Sequence, residues 1–221
     1  MRLAYLTPLV LDTLLAPPLP LPADPAVPHR HFVLHKPYGY LSQFRSDFKG
    51  ERNKKFLGAL HDFPPGTMAI GRLDEASEGL LLLTTDGALS AQVRSPGVEK
   101  EYYAQVDGLV TNEALAQLRT GFALRAADGM AYHTAPCQAR RLAEAPSFAP
   151  RTRKIRDERH GPTSWVAIVL TEGKFRQVRK MTAAAGLPTL RLVRVRVGGV
   201  WLGDLAPGEA REVAAFAGCG G

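Results

Sequence analysis

Apolar residues fall in short runs along this chain, with few long helical stripes. Residues 31–36 and 40–44 read as two short strands separated by Pro37-Tyr38-Gly39. Residues 67–73 and 79–85 read as a second pair. The latter contains Leu80 to Leu83 without polar alternation, so it is expected to be buried on both faces. Asp86 is placed to cap a short helix over 87–94 that Pro96-Gly97 ends. A strand over 102–106 follows, then Thr111 as the cap of a helix over 112–119 stopped by Gly121. Residues 130–141 read as one long strand and 165–170 as another. A helix is expected over 175–185, with Gly186 just past its end and Pro188 beyond. Over 193–197 valine alternates with arginine, which predicts a strand with one wet or RNA-facing side. Strands and helices are mixed without a repeating βαβ unit, so the expected fold class is α+β on a mixed sheet.

The first 29 residues differ from the rest: they carry seven prolines and little turn chemistry, and read as a flexible proline-rich leader. Asp12 interrupts their apolar stretch, and prolines stand where a signal peptide would place its cleavage site. Residues 30–216 are expected to form one domain and 217–221 a Gly-rich tail. Two cysteines, Cys137 and Cys219, cannot build a disulfide framework, and no Cys or His pair has metal-ligand spacing. No apolar run approaches the ~20 residues of a membrane span. A cytoplasmic protein is the expectation. Twenty-eight Lys and Arg against 21 acids give a net charge of +7, which leans towards a polyanionic partner without excluding an ordinary soluble enzyme.

Candidate chemistry concentrates in residues 71–87. Asp74 stands straight after one apolar run and just before the four leucines. A carboxylate caught between buried strands is costly unless paired or hydrogen-bonded; a loop Asp making an Asx-turn is the alternative on local residues alone. Arg72, two residues away, would share its face if the backbone there is a strand. The helix expected from residue 175 puts Arg176, Arg179 and Lys180 on one side and Val178, Met181 and Ala185 on the other. Two polar loops are basic: residues 44–55, with Arg45, Lys49, Arg52, Lys54 and Lys55, and residues 145–162, with Arg151, Arg153, Lys154, Arg156, Arg159 and His160. Such loops are usually just solvated, but they also fit an electrostatic footprint for an RNA backbone.

Gly71-Arg72-Leu73-Asp74 through Thr84-Thr85-Asp86-Gly87 resembles motif II of the pseudouridine synthases. His35-Lys36-Pro37-Tyr38-Gly39 resembles motif I, Lys100-Glu101-Tyr102 the K-x-Y of motif IIa, and residues 172–181 motif III, in the same order. The chain is therefore identified as a member of the RsuA/RluE-like branch, whose enzymes modify ribosomal RNA. The resemblance implies a mostly antiparallel mixed sheet flanked by helices, with a central RNA-binding cleft. It implies Asp74, Tyr102 and Arg179 as the catalytic set: Asp74 as nucleophile or acid/base at the sugar, Tyr102 stacked on the target base, and Arg179 paired with Asp74. An adjacent cation of that kind lowers an Asp pKa by ~1–3 units. Arg72 is expected to hold the RNA after the base flips. Lys36, Arg176 and Lys180 join the RNA contacts, with Arg45 and Lys54 from the first loop and Arg151, Arg153, Lys154 and Arg156 from the second. Lys36 and Pro37 are expected mainly to shape the fold, and Glu78 to be structural, capping backbone donors near its turn. Tyr103 should point away from Tyr102.

By the same resemblance the enzyme is a monomer that needs no metal or small-molecule cofactor. Many relatives carry an extra N-terminal RNA-binding module of the S4 type; the proline-rich leader does not read as one. The expected substrate is a uridine of 23S ribosomal RNA, with 16S and transfer RNA as alternatives. Two other readings are a catalytically silent RNA-binding module, which would require loss of Asp74, Tyr102 or Arg179, and a glycoside hydrolase, which needs a second carboxylate across the bond.

Overall fold

A computed structural model describes residues 28–126, 128–156 and 158–218. The leader up to residue 27, and Cys219 with the end of the Gly-rich tail, lie outside the described residues.

The strands are β1 (His31–Lys36), β2 (Tyr40–Leu41), β3 (Lys55–Phe56), β4 (Met68–Ala69), β5 (Glu78–Thr84), β6 (Lys100–Asp107), β7 (Ala123–Arg125), β8 (Ala131–His133), β9 (Gln138–Arg141), β10 (Thr163–Leu170), β11 (Thr189–Val197), β12 (Val200–Trp201) and β13 (Ala210–Val213). Three α-helices join them among the described residues: α1 (Gly87–Val93), α2 (Asn112–Thr120) and α3 (Gln177–Ala184). The main sheet runs β13-β1-β5-β11-β6-β10-β9, with β4 beside β5 and β12 beside β11. Every pairing in it is antiparallel except β5 with β11. Mixed sheet and flanking helices match the α+β expectation. His31 pairs with Val213, so the two ends of the described chain meet in one sheet.

Local signals explain most elements. All of β5 is buried, as four consecutive leucines require. Leu80 and Leu82 enter one apolar cluster and Leu81 and Leu83 another, so both faces of the strand are dry. The Asp86 side chain accepts from the amides of Ala88 and Leu89 to open α1, and Thr111 accepts from Ala114 to open α2. Val178 and Met181 of α3 point into the core beside β10 and β11.

Three elements differ from expectation. Residues 67–73 give only the two-residue β4, because from Gly71, at φ 70°, the chain leaves the sheet and turns. Residues 130–141 give β8 and β9 separately; Pro136 lies between them and has no N–H to continue a ladder. In β11 the wet face does not exist: Arg191 and Arg194 are 7% and 5% exposed. Arg191 meets Glu78 through two hydrogen bonds of 3.0 and 2.7 Å, and Arg194 donates to the Leu80 carbonyl at 2.8 Å. Arg196 pairs with Glu99 and Glu101.

The crossing of β5 and β11 is close. Gly79 has φ 103°, and a Cβ there would lie 2.3 Å from the Arg194 carbonyl oxygen. Only glycine fits.

Candidate active site

Asp74 lies on a turn between β4 and β5 whose main chain is held from several sides. The Ser77 amide donates to the Asp74 carbonyl at 3.0 Å, closing the turn. Ser42 grips the preceding residue: its hydroxyl donates to the Leu73 carbonyl at 2.8 Å and accepts from the Leu73 amide at 2.9 Å. The Gly39 amide donates to the Glu75 carbonyl at 2.8 Å, and Arg179 donates to the Ala76 carbonyl at 2.8 Å. Leu73 is buried in the core, as expected. The backbone on both sides of Asp74 is thus fixed while its side chain keeps 25% exposure. That is a preorganised carboxylate in an open site.

The site is a pocket of about 400 Å³ of empty space, walled by Arg72, Asp74, Tyr102, Lys174, Arg176 and Gln177 among others. Tyr102 enters it from β6 and packs against the α3 core, whereas Tyr103 joins the opposite cluster, as strand alternation requires. Arg72, Gly173 and Lys174 also line two adjoining pockets, so the cleft continues on both sides of this wall.

The cation nearest Asp74 is Arg176, with Nη1 4.0 Å from Oδ2. Arg176 is also the only described non-glycine residue with positive φ, 52°, in the left-handed region that disfavours side chains. It precedes α3 directly, and this conformation sits at the functional cleft, where such strain is most often found. The loop before it is clamped in its turn. Gln177 accepts from the Lys174 amide and donates to Glu172, which accepts from the Ala135 amide.

The expected Arg179–Asp74 pair is not formed. Arg179 acts on the turn through main-chain oxygens, holding Ala76 and reaching Thr189 at 3.4 Å. Its guanidinium has a pKa below the ordinary value, chiefly from burial and then from Arg176, with Asp74 opposing. Asp74 is therefore within electrostatic range of Arg179, but the ion pair belongs to Arg176.

Other expected site residues divide. Arg72 is exposed on the cleft wall. Arg45 and Lys54 are exposed on the first basic loop, and Lys54 reaches Glu75, next to Asp74, at 2.8 Å. Lys180 donates to the Arg125 carbonyl at 2.6 Å and lies over the Phe175 ring. Arg151, Arg153 and Lys154 line a separate pocket behind the Asp74 turn. Arg156 is tied down by an ion pair to Asp107 and a hydrogen bond to the Gly161 carbonyl, so it secures its loop to β6.

Lys36 is a correction. It is 0% exposed and cannot meet RNA. Its ammonium donates to the carbonyls of Pro37 and Tyr40 at 3.0 and 2.6 Å, tying the end of β1 to the following turn. Burial pulls its pKa down to about 7, against the raising effect of Glu78, Asp74 and Glu75. Glu78 is structural, but its partner is Arg191 and not backbone donors.

The sequence reading missed Ser42, the Glu172–Gln177 clamp and Lys174. The spacing in Glu172-Gly173-Lys174-Phe175-Arg176-Gln177 was the one available signal for the clamp. A serine thirty-one residues away that grips a backbone has none.

Comparison with known proteins agrees with this geometry. A family model for RNA pseudouridylate synthase matches residues 30–184. The ribosomal large subunit pseudouridine synthase E of Xanthomonas axonopodis pv. citri is 48% identical over 177 residues, 79% of this chain and 89% of that protein. Its counterpart in Xanthomonas campestris pv. campestris is 44% identical over 183 residues, covering 81% and 92%. A solved crystal structure of pseudouridylate synthase superposes with a TM-score of 0.65 at 27% identity, covering 85% of this chain and 71% of that one. The turn that presents Asp74 beside Tyr102, and the match over most of the chain, lead to one assignment: this chain belongs to the RNA pseudouridylate synthase family.

Proposed function

We propose that the chain isomerises one uridine of 23S ribosomal RNA to pseudouridine, as a cytoplasmic monomer, with Asp74 as the reacting carboxylate. The observation that carries this reading is the fixed main chain around a partly open Asp74 at the cleft with Tyr102. Likeness to two proteins named large subunit synthase E supports the choice of RNA.

The base must first leave its stack, costing a few kcal/mol. The N1–C1′ bond then breaks, the base turns, and C5 bonds to C1′; N1 gains a proton and C5 loses one. Asp74 serves at the sugar, as nucleophile at C1′ or as base for a sugar proton. Tyr102 stacks on the detached base and is positioned to take the C5 proton. Arg176 offsets the Asp74 charge in the free enzyme, and Arg179 keeps the turn in place. Arg72 and Lys174, at the rim, meet backbone phosphates.

Asp74→Asn conserves size and polarity. It should abolish tritium release from 23S RNA labelled at uridine C5 while leaving RNA binding within a few-fold. Substantial turnover by this variant would remove Asp74 from the mechanism. Offering protein-free 23S, 16S and transfer RNA side by side tests the substrate; faster modification of either of the latter two would overturn the choice of 23S.

A further inference from the structure

Behind the Asp74 turn lies a second pocket, with about 640 Å³ of empty space, that the chemistry at Asp74 does not use. Five of its lining residues are cations: Arg151, Arg153, Lys154, Arg156 and Arg179. Among the described residues no carboxylate lines it. Arg156 is paired with Asp107, whereas the other four form no ion pair among the described residues.

This pocket has an organised floor. The Arg151 guanidinium lies 4.7 Å above the centroid of the Tyr38 ring, and Arg153 donates to the Tyr38 hydroxyl at 3.3 Å. Arg151 in turn donates to the Arg153 carbonyl at 2.7 Å. One tyrosine therefore orients two arginines whose like charges would otherwise push them apart; burial lowers the Arg151 pKa most, Glu78 and Tyr38 oppose it, and Arg191 and Arg153 add to the lowering. Holding like charges side by side is unfavourable, and an anion bound between them relieves the repulsion. Two further donors, Nε of Arg156 and Nε of Arg179, are buried and have no acceptor among the described residues.

The pocket shares its wall with the reacting centre. Ala76 lines it, while Asp74 and Ser77, on the same turn, line the first pocket. Arg179 lines it too, and is the residue that grips the Ala76 carbonyl. The two pockets thus share one turn as their wall.

We propose that Tyr38, Arg151 and Arg153 form a phosphate subsite that binds one backbone phosphodiester flanking the reacting uridine. The proposal rests on the isomerase reading and deepens it, turning a diffuse basic loop into one defined contact. Guanidinium groups suit this ligand because their fork matches two phosphate oxygens. The phosphate fixes the register of the strand across the turn. It carries no base information itself.

The test uses the full chain and short 23S-derived RNAs in which each linkage around the modified uridine is replaced singly by an uncharged methylphosphonate. With the wild type, one linkage should lower kcat/KM by about tenfold or more, the size of one charge-assisted contact. With Arg153→Met, kcat/KM should start lower through KM, and that same replacement should cost less than about twofold more, because the interaction is already gone. Tyr38→Phe, which loses only the hydroxyl, should behave more mildly than Tyr38→Leu, which also removes the ring beneath Arg151. Penalties as large in Arg153→Met as in the wild type at every linkage would overturn the subsite. If the wild type converts no uridine of 23S, 16S or transfer RNA, the isomerase reading falls, and the subsite is judged by equilibrium binding of single-stranded RNA. Losing this one phosphate contact in Arg151→Met/Arg153→Met lowers the slope of log affinity against log salt by about 0.7; an unchanged slope overturns the subsite by that route as well.

Discussion

Replacing Arg191 by methionine should cost this protein a large share of its stability. Glu78 and Arg191 have side chains only 3% and 8% exposed. Their carboxylate and guanidinium make two hydrogen bonds, of 3.0 and 2.7 Å, and Arg191 donates a further one to the Ala149 carbonyl at 2.9 Å. The guanidinium also lies 5.4 Å from the centroid of the Phe148 ring. Methionine retains much of the aliphatic stem and its packing, so the loss is mainly electrostatic: a carboxylate left buried and unpaired. Breaking one partner of such a pair costs ~3–5 kcal/mol. With a urea slope of ~2 kcal/mol/M, the unfolding midpoint should fall by ~2 M. Glu78→Leu alone should be similarly harmful, since it strands the arginine. Both changes together should recover much of the loss, because an apolar pair of similar volume is often neutral in such a place. The coupling in that double-mutant cycle is therefore expected at ~2 kcal/mol or more. Additive losses, or a loss below ~1 kcal/mol for Arg191→Met, would refute the argument and mean that water reaches the pair.

Lys36→Met tests the buried ammonium by pH. Folded Lys36 has its pKa pulled down to about 7 from 10.5, so between those values the unfolded chain binds more protons than the folded one. Wild-type stability should therefore rise relative to Lys36→Met as pH climbs through that window, at up to ~1.4 kcal/mol per unit; a pH-independent difference between the two melting curves would contradict this. Gly79→Ala should destabilise by ~2 kcal/mol or more in the same urea assay, since the new Cβ meets the Arg194 carbonyl at φ 103° and a main-chain strand cannot step aside cheaply. A near-neutral Gly79→Ala would mean that β5 and β11 separate more easily than their pairing suggests.

What the sequence revealed was local. Leu80 to Leu83 announce a strand dry on both faces, and Asp86 and Thr111 announce caps, because each signal and its consequence lie within a few residues. Pro136 is a usable signal too, since a proline cannot continue a central strand, and it separates β8 from β9. The turn at 71–77 was harder. Its alternation fits a strand, and only the Ser42 grip on Leu73 and the left-handed Gly71 take the chain out of the sheet. Asp74 was found by its motif, but its holders were not: Ser42, Gly39 and Arg179 all act on main-chain atoms, and a backbone carbonyl leaves no mark on the pattern of side chains.

The arginines of β11 show why alternation of charge is a weaker guide than alternation of polarity. A strand reading Val-Arg-Val-Arg has a wet face only if no acid comes to meet it. Here Glu78, Glu99 and Glu101 meet Arg191 and Arg196 from positions 95 to 113 residues away in the chain. Arg194 is satisfied by a carbonyl of the neighbouring strand. Those cations bind the sheet together and contribute little to the exterior field. These three arginines and three glutamates cancel, so the net +7 is carried by the rest of the chain. Arg72, Lys174 and Arg176 stand at the cleft, and Arg151, Arg153 and Lys154 behind the Asp74 turn. The RNA contacts proposed above rest on where these basic residues gather, at the cleft and behind the Asp74 turn, and not on their overall count.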